Sequence, residues 1–438
     1  MPSPVDLTQA ALHAMRRHGG VLSSAELQVQ LGVSQPTVSR VLKPLIQSGQ
    51  VRKVGAARAQ RYVLPRGVPG VGSQVPVVRV DAQGCVSPFA RLVPLVGGAF
   101  WVEEADGVSA RHDGLPWFLD DMRPQGFMGR TFAHAHPELQ LGSDPRNWND
   151  DDVLRALALF GDDLPGNLIV GEAAFRRFHT LPQRASRADS VADYPQLAEQ
   201  AMQGTLGGAS AGGEQPKFCT QSAGRPVLVK FSPADNTPVD QRSRDLLVCE
   251  HLALQTLAQA GLPAARTQLF TVAGRVFLES ERFDRVGPAG RIGMVSLQVY
   301  DAEYVGAMDN WAATAHRMQA RGLLTASDAH TLCLLEAYGQ WIANTDRHYG
   351  NISLLLRDDD WVLSPSYDML PMLYAPVAGE LVPRDFGARL PQPSATTLPQ
   401  WEQARALAHV FWRSAAADAR VSEPFRAIAA QNARLTGG

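Results

Sequence analysis

Hydrophobic positions in the first 66 residues recur at a helical spacing and then give way to a short alternating segment. In residues 6–18 the apolar side chains fall on one helical face, and a glycine pair follows. Ser23 and Ser34 stand where the N-caps of two further helices are expected. Residues 51–64 have the composition of two short strands around a turn. The pattern predicts three helices followed by a β-hairpin.

The third of these helices, residues 34–49, has one apolar face and one polar, basic face. Its buried stripe is expected to consist of Val38, Val41, Leu42 and Leu45. Pro36 lies in the first turn, where a missing N–H costs nothing, but Pro44 is expected to bend the helix or end it early. The outward polar residues of this helix and of the hairpin are Gln35, Thr37, Ser39, Arg40, Lys43, Arg52, Lys53, Arg58 and Arg61.

Charge is distributed unevenly between this segment and the rest of the chain. The 438 residues have a formal net charge of −2, yet residues 1–66 contain nine Lys and Arg against two Asp and Glu. The remaining residues carry 32 basic against 41 acidic side chains. A basic head on an acidic body indicates an anionic partner for the head alone.

The helices and the basic hairpin together predict a winged helix-turn-helix domain. Its third helix would enter the major groove of DNA, and the hairpin would contact phosphate. A small helical domain that docks onto another protein is the alternative, since charge alone does not exclude it.

Composition changes after this head. Residues 67–76 are rich in Gly and Pro, which is typical of a linker. Residues 77–105 alternate apolar and polar positions as β-strands do, whereas residues 150–160 and 170–178 have helical periodicity. This middle portion shows no catalytic constellation of its own.

In the body of the chain, three side chains that can bind a metal ion stand around a second predicted hairpin. A helical segment leads into the loop NTDRHYGN, in which Asp346 and Asn351 stand five residues apart. Two strand-length apolar runs, residues 352–357 and 361–367, follow with an Asp-rich turn between them, and Asp368 comes directly afterwards. A hairpin brings its outer ends together, so all three side chains are expected to converge.

The same order of residues occurs in protein kinases, where a loop Asp is the base and a later Asn and Asp bind metal. Asp346 is the expected proton acceptor, and Asn351 and Asp368 are the expected Mg²⁺ ligands, because Mg²⁺ prefers oxygen donors. Arg347 and His348 replace the usual preceding His-Arg pair. Asp and Asn are also common in turns, so this spacing alone also fits an ordinary loop.

Two upstream features favour nucleotide binding. Residues 206–218 contain a Gly-rich loop whose backbone N–H groups suit phosphate, with Lys217 adding positive charge. Lys230 lies in an apolar strand, and a buried lysine needs an anionic partner, which the phosphates of a nucleotide would supply. A predicted helix over residues 245–260 follows, and residues 276–285 stand where a hinge between two lobes is expected to contact adenine. This is the serial order of a kinase.

Over residues 85–400 the chain resembles the HipA family, the serine/threonine kinase toxins of bacterial toxin–antitoxin systems. The resemblance rests on five motifs taken together, which are SAGGEQPK (210–217), VLVKFS (227–232), ERFDR (281–285), NTDRHYGN (344–351) and SYDMLP (366–371). The helix-turn-helix ahead of the body is similar to that of the longer, YjjJ-type members of the family.

The resemblance implies an α+β fold with several domains. A two-lobed, protein-kinase-like body with a mixed α/β N-lobe and a mostly helical C-lobe is expected after a small winged helix-turn-helix. The implied divisions are a head (1–66), a linker (67–76), a HipA-type N-terminal subdomain (77–190) and a kinase-like catalytic domain (191–438). The last contains the ATP site (205–285) and the catalytic loop (344–351).

The resemblance also implies a role for each matching residue. Asp346 is the implied catalytic base, Asn351 and Asp368 are the implied Mg²⁺ ligands, and Lys230 is the implied phosphate-binding lysine. The remaining ATP contacts implied are Gly212, Gly213, Glu214, Gln215, Pro216, Lys217, Glu281, Arg282, Phe283, His348, Tyr349, Gly350 and Tyr367. Ser210 matches a serine whose autophosphorylation ejects the loop and inactivates the enzyme, because added negative charge repels phosphates.

The expected function is therefore an ATP- and Mg²⁺-dependent serine/threonine kinase toxin with a DNA-binding head. The resemblance implies a protein substrate of the aminoacyl-tRNA synthetase class and a HipB-like antitoxin. A homodimer is also expected, because winged helices often work as dimers. A transcription regulator with a nucleotide-sensing, catalytically inactive body is the alternative. No run of about 18 apolar residues, no signal peptide and no CxxC spacing occur, which favours a cytoplasmic protein without a membrane partner.

Overall fold

The computed structural model describes residues 4–55, 60–181, 185–206 and 212–437. The strands are β1 (Val21–Leu22), β2 (Arg52–Val54), β3 (Arg61–Val63), β4 (Val75–Val80), β5 (Val86–Pro94), β6 (Phe100–Glu104), β7 (Ser109–His112), β8 (Leu168–Val170), β9 (Arg187–Ala188), β10 (Lys217–Ser222), β11 (Arg225–Phe231), β12 (Thr267–Val272), β13 (Arg275–Glu281), β14 (Arg285–Val286), β15 (Gly290–Arg291), β16 (Met294–Ser296), β17 (Ser353–Arg357) and β18 (Asp360–Leu363).

The α-helices are α1 (Pro4–Arg17), α2 (Ser24–Leu31), α3 (Gln35–Gln47), α4 (Gly126–Ala135), α5 (Asp150–Phe160), α6 (Glu172–His179), α7 (Tyr194–Met202), α8 (Pro238–Gln259), α9 (Leu297–Tyr304), α10 (Trp311–Ala320), α11 (Ala326–Trp341), α12 (Trp401–Ala417) and α13 (Glu423–Thr436). In the part of the chain that the structure describes, no helix combines the length and apolar character needed to cross a membrane.

The head folds as three helices, α1 to α3, beside a small sheet of strand order β1-β3-β2. Ser23 caps α2 in a capping box with Glu26, whereas Ser34 stands at the N-cap of α3 without a side-chain capping bond. Pro44 was expected to bend α3 or to end it early, and the helix does not end there but continues to Gln47. Leu45, directly after the proline, is buried in the head's core, so tertiary packing outweighs the lost hydrogen bond.

The middle of the chain forms a five-stranded sheet, order β7-β6-β5-β4-β8, that also supports the head. The Val96 N–H donates to the Leu64 carbonyl at 3.1 Å, and the Arg66 N–H donates to the Pro94 carbonyl at 2.9 Å. Head and sheet share an apolar cluster made by Val54, Val63, Val93, Leu95, Ala99 and Trp101. The head is therefore packed against the middle domain directly as well as being joined to it by residues 67–74.

The first part of the body is a five-stranded sheet, order β12-β13-β11-β10-β9. Its α7 side packs the aromatic rings of Tyr194, Phe218 and Phe277 together. Helix α8 begins at a capping box between Thr237 and Asp240, and its residues join the main core of the body. This sheet positions Lys230 on β11.

The second part of the body is mostly helical. Helices α10 to α13 bury the large side chains Trp311, Tyr338, Phe411, Trp412 and Phe425 in one core. A three-stranded sheet, order β16-β17-β18, faces the first part of the body. The predicted hairpin is present as β17 and β18, in which Leu354 pairs with Leu363. The loop before β17 and the segment after β18 therefore emerge at the same side.

Candidate active site

A cavity of about 290 Å³ lies between the first sheet of the body and the β16-β17-β18 sheet. Apolar side chains of Leu228, Leu278, Met294 and Phe283 line one part of it, and the charged groups of Lys217, Lys230, Glu250 and Asp368 line another. A purine ring suits the first part and phosphates suit the second, because ligand pockets combine apolar walls with a few placed charges.

The charged part is organised around Lys230. Its Nζ donates to Glu250 Oε1 at 2.8 Å and Oε2 at 2.9 Å, and it also donates to Asp368 Oδ1. Burial alone would lower the pKa of Lys230, but the nearby Asp368 and Glu250 carboxylates raise it above its ordinary value. The same contact, despite burial, lowers the pKa of Asp368. Lys230 is therefore held as a cation at the edge of the cavity.

Glu250 was not indicated by the sequence analysis. It lies on α8 within a buried apolar stretch, and its side chain is almost fully buried. An acidic residue in a helix face that is otherwise apolar is the local signal, because a buried carboxylate requires a partner. A strand lysine paired with a helix glutamate is the arrangement that protein kinases use to place the phosphate-binding lysine.

The loop before β17 is fixed by contacts on both sides of Asp346. Asn344 Oδ1 accepts from the Asp346 N–H at 2.9 Å, and the Arg347 Nε donates to Glu336 of α11 at 3.1 Å. Gly339 makes room for Arg347, since a Cβ there would lie 2.6 Å from the arginine Cδ. The Asp346 carboxylate itself is half exposed and lies outside the cavity lining. It is therefore open to a hydroxyl arriving from solvent.

Asn351 and Asp368 both line the cavity, so the hairpin brings these two predicted ligands together. The Asn351 Nδ2 donates to the Asp346 carbonyl at 2.9 Å, which leaves its Oδ1 as the atom suited to a cation. Asp368, five residues after the end of β18 at Leu363, has a φ of 56°, which is a left-handed conformation. Across the described residues, no group of three or more His, Cys, Asp or Glu forms a metal cluster. An amide and one carboxylate fit Mg²⁺, which commonly takes one or two protein ligands and keeps waters and phosphates.

The Gly-rich segment is described from residue 212 onward, and Ser210 lies outside the described residues. Gly212, Gly213 and Lys217 line the cavity. Lys217 Nζ donates to the Gly212 carbonyl, and burial together with the neighbouring Lys230 lowers the pKa of Lys217 to about 8. Glu214 instead pairs with Arg130 of α4 at 2.6 Å. The segment is thus tied to the middle domain as well as to the sheet.

Other residues of this segment have structural contacts. The Gln215 Nε2 donates to the Phe231 carbonyl at 3.1 Å, and the Pro216 carbonyl accepts from the Phe231 N–H at 3.1 Å. The Phe127 N–H, at the start of α4, donates to the Gly213 carbonyl at 3.0 Å. Glu214, Gln215 and Pro216 are not part of the cavity wall. Their side chains therefore shape the loop rather than face the cavity.

The predicted hinge follows β13. Glu281, Arg282 and Phe283 all line the cavity. The Glu281 N–H donates to the Arg266 carbonyl at 3.0 Å, and the Arg282 N–H donates to the Pro226 carbonyl at 3.0 Å. Adenine would therefore have to use the N–H of Phe283 or the hinge carbonyls, and not those two donors.

The remaining predicted contacts divide between the cavity and the core. Tyr367 lines the cavity, its ring centroid 5.7 Å from that of Phe283, and its hydroxyl donates to the Gly350 carbonyl at 3.0 Å. His348 and Gly350 also line the cavity. Tyr349 is buried, and its hydroxyl accepts from the Asp309 N–H at 2.7 Å, so its ring supports the loop from behind.

The predicted DNA-binding residues lie on the face of α3 opposite its core side and on the hairpin. Exposed side chains are those of Gln35, Ser39, Arg40, Lys43 and Lys53, whereas Thr37 and Arg61 are half-buried. Arg52 instead pairs with Glu103 of the middle sheet at 3.4 Å. Arg58 lies outside the described residues. The helix therefore presents a polar, basic face, whereas Arg52 of the hairpin is paired with the middle sheet and does not face solvent freely.

Family models match three successive parts of the chain. Residues 10–61 match the MarR family, residues 71–179 match the YjjJ-like toxin, middle domain, and residues 209–434 match the HipA-like C-terminal domain. The last match covers just over half of the chain. The head, the middle domain and the body are thus each matched by a separate family model.

Two comparisons that cover most of the chain agree with these matches. The chain is 38% identical to Toxin YjjJ of Escherichia coli (strain K12) over 419 residues, which is 94% of each protein. It resembles a chain of the Shewanella oneidensis MR-1 HipA, HipB and operator DNA complex with a TM-score of 0.52, 13% identity and coverage of 83% of this chain and 95% of that one. A Helicobacter pylori proinflammatory kinase, CtkA, has 14% identity and a TM-score of 0.35 over 51% of this chain and 88% of its own.

These findings confirm the predicted fold, a kinase-like α+β body behind an N-terminal helix-turn-helix. The chain belongs to the HipA family, in the YjjJ-type branch that carries an N-terminal helix-turn-helix.

Proposed function

We propose that this protein is an ATP- and Mg²⁺-dependent serine/threonine-protein kinase that acts as a HipA-type toxin. The observation that supports this most is the buried contact of Lys230 with Glu250 and Asp368 beside a cavity that Asn351 also lines. Protein kinases place the phosphates of ATP with a strand lysine that pairs with a helix glutamate, next to a metal-binding aspartate, and Lys230, Glu250 and Asp368 have this arrangement.

Each residue has a distinct part in this proposal. Lys230 and Lys217 bind phosphate oxygens, and Asn351 Oδ1 and the Asp368 carboxylate hold the metal. When bound, ATP with Mg²⁺ supplies the phosphoryl group and neutralises its charge. Asp346 accepts the proton of the substrate hydroxyl, for which its exposed carboxylate is suited. Arg347 holds this loop against α11 through Glu336.

The test is phosphate transfer by purified protein. Wild-type protein should incorporate labelled phosphate from ATP, and Asp346→Asn should lower the rate by about 100-fold or more, as loss of a general base does. Asp359→Asn is the matched control, because Asp359 lies in the hairpin turn at a positive φ that Asn also tolerates. Unchanged labelling in Asp346→Asn would remove that residue from the mechanism.

The cellular part of the proposal follows from the family. The kinase would act in the cytoplasm on a protein substrate, for which an aminoacyl-tRNA synthetase is the first class to examine. Autophosphorylation at Ser210 would inactivate it, and a HipB-like antitoxin and a homodimer are further parts of the proposal. Comparison of phosphosites in cells that express wild-type and Asp346→Asn protein would identify the target. The Ser210→Ala variant should be more toxic at equal protein level.

A second function is favoured by the packing of the head on the body. Arg52 contacts Glu103, and the head shares an apolar cluster with the middle sheet, so a change in the body can reach the DNA-binding helix. A nucleotide-sensing transcription regulator would use this connection without transferring phosphate. Operator binding that depends on nucleotide, with no labelling of any protein, would favour this second function over the first.

A further inference from the structure

A second, larger cavity of about 700 Å³ lies between the middle domain and the β9-β10 edge of the first body sheet. Its volume is within the range of small-molecule sites. The wall includes the five arginines Arg177, Arg187, Arg282, Arg285 and Arg291. Cys219 and Arg282 line both this cavity and the nucleotide cavity, so the two are neighbours that share a wall.

Two of these arginines, Arg282 and Arg285, are bound to two aspartates. Asp163 Oδ1 lies 3.3 Å from Arg282 Nη1 and 2.8 Å from Arg285 Nη2. Asp284 accepts from Arg282 at 3.1 Å and from Arg285 at 2.6 Å. Because these contacts favour the charged forms, the pKa values of Asp163 and Asp284 lie below their ordinary values despite burial. The positive charges of Arg282 and Arg285 are therefore balanced by the negative charges of Asp163 and Asp284.

Arg291 carries a further positive charge that these two aspartates do not balance. Its side chain is only 2% exposed and lies 3.9 Å from Asp163, which the other two arginines already contact more closely. Its Nη2 donates to the Asp162 carbonyl, but its buried Nη1 has no hydrogen-bond partner among the described residues. The guanidinium lies over the Phe178 ring, 4.8 Å from its centroid. One positive charge and one donor are thus unsatisfied inside the protein.

An unpaired buried charge is destabilising, and a buried donor without an acceptor adds to that cost. Burial and the adjacent Arg285 lower the pKa of Arg291 to about 9, so it is still a cation at neutral pH. A water molecule would satisfy the donor but not the charge. An anion in the cavity would satisfy both.

We propose that this cavity binds a phosphate-bearing small molecule whose oxygens accept from Arg291 Nη1. Guanidinium groups match the oxygens of phosphate in a fixed fork geometry, and several of them line this one cavity. Arg187 stands exposed at the wall and adds positive charge at the entrance. This site is distinct from the nucleotide cavity and does not depend on kinase activity.

Pyrophosphate and inorganic phosphate are the probes, with citrate as a carboxylate comparison. Full-length protein should bind pyrophosphate in titration calorimetry, and Arg291→Gln should bind it at least tenfold more weakly. Arg413→Gln is the matched control, since Arg413 is exposed on α12 and lines neither cavity. Arg187→Glu is a second variant whose exposed position leaves the fold intact, and it should also weaken binding several-fold.

Hydrogen exchange distinguishes this cavity from the nucleotide cavity, which also suits phosphate. Pyrophosphate should protect the hairpin at residues 285–291 in wild-type protein and not in Arg291→Gln. Equal binding by Arg291→Gln and Arg413→Gln, no binding at all, or protection confined to residues 344–351 would overturn the proposal. Binding of citrate alone, with the same dependence on Arg291, would overturn the assignment to phosphate.

Discussion

Replacing Glu250 by Gln tests the contact on which the proposed nucleotide site depends most. The glutamate receives two hydrogen bonds from Lys230, at 2.8 and 2.9 Å, and both partners are buried. Glutamine has the same shape and keeps one oxygen acceptor, so the change removes a charge without opening a cavity. Asp368 remains as a charged partner of Lys230.

The expected loss of stability is modest. Leaving a buried charge with no partner costs about 3–5 kcal/mol, but Lys230 keeps Asp368 and is not left alone. One of the two hydrogen bonds from Lys230 is lost, and a hydrogen bond to a charged group contributes about 1.5–3 kcal/mol. Removing one of two carboxylates that share a single ammonium offsets part of this loss. We therefore expect the free energy of unfolding to fall by about 1–2 kcal/mol.

The expected loss of activity is much larger. In Glu250→Gln, Asp368 is the only carboxylate left beside Lys230, so the ammonium is drawn away from the phosphates and towards a proposed metal ligand. A displacement of about 1 Å in a reacting group costs about 100-fold in rate. The rate of labelled phosphate transfer and the free energy of unfolding in denaturant should both be measured.

Glu402→Gln is the control, because Glu402 forms an exposed pair with Arg405 whose removal should change stability by less than about 1 kcal/mol. A Glu250→Gln enzyme with the wild-type rate would refute the positioning role of Glu250. A stability loss of about 5 kcal/mol would show that Asp368 does not compensate.

Three further predictions concern the loop, the pH dependence and the head. Gly339→Ala should lower phosphate transfer several-fold, since its Cβ would meet Arg347 at 2.6 Å, while overpacking costs about 1–3 kcal/mol in denaturant unfolding. ADP affinity should be full below pH 8 and fall as pH rises further, because phosphates favour the protonated Lys217, whose pKa is about 8 in the free protein. Calorimetry in two buffers should show proton uptake on binding. Arg40→Ala should reduce the salt slope of DNA binding by about 1, and Arg52→Ala by less, because Arg52 contacts the body.

An unchanged rate of phosphate transfer in Gly339→Ala would show that the position of the loop does not depend on Arg347. ADP affinity that is constant from pH 7 to 9 would exclude Lys217 as a phosphate contact. Equal effects of the two arginine substitutions would mean that the head leaves the body when it binds DNA.

The features that sequence could predict are those with local causes. Helical periodicity and capping serines indicated the head, and two apolar runs around an Asp-rich turn indicated the hairpin that the structure has as β17 and β18. Because a hairpin joins its own ends, the spacing predicted that Asp346, Asn351 and Asp368 converge. Asn351 and Asp368 do line one cavity, whereas Asp346 lies outside its lining. Of the two outcomes expected at Pro44, a bend or an early end, the early end does not occur, because local propensity does not include the packing of Leu45 in the core.

The features that sequence could not predict depend on contacts between distant parts of the chain. Glu250 meets Lys230 across 20 residues, and Arg52 meets Glu103 across 51, so nothing in the local pattern of either residue names its partner. Arg291 looks like an ordinary hairpin residue until three arginines and two aspartates are brought together and one charge is left over. The sequence by itself determined the elements and the order of the chemical groups, because these depend on neighbouring residues. Only the tertiary structure decided which charges are buried together, since burial and pairing are properties of the packed chain.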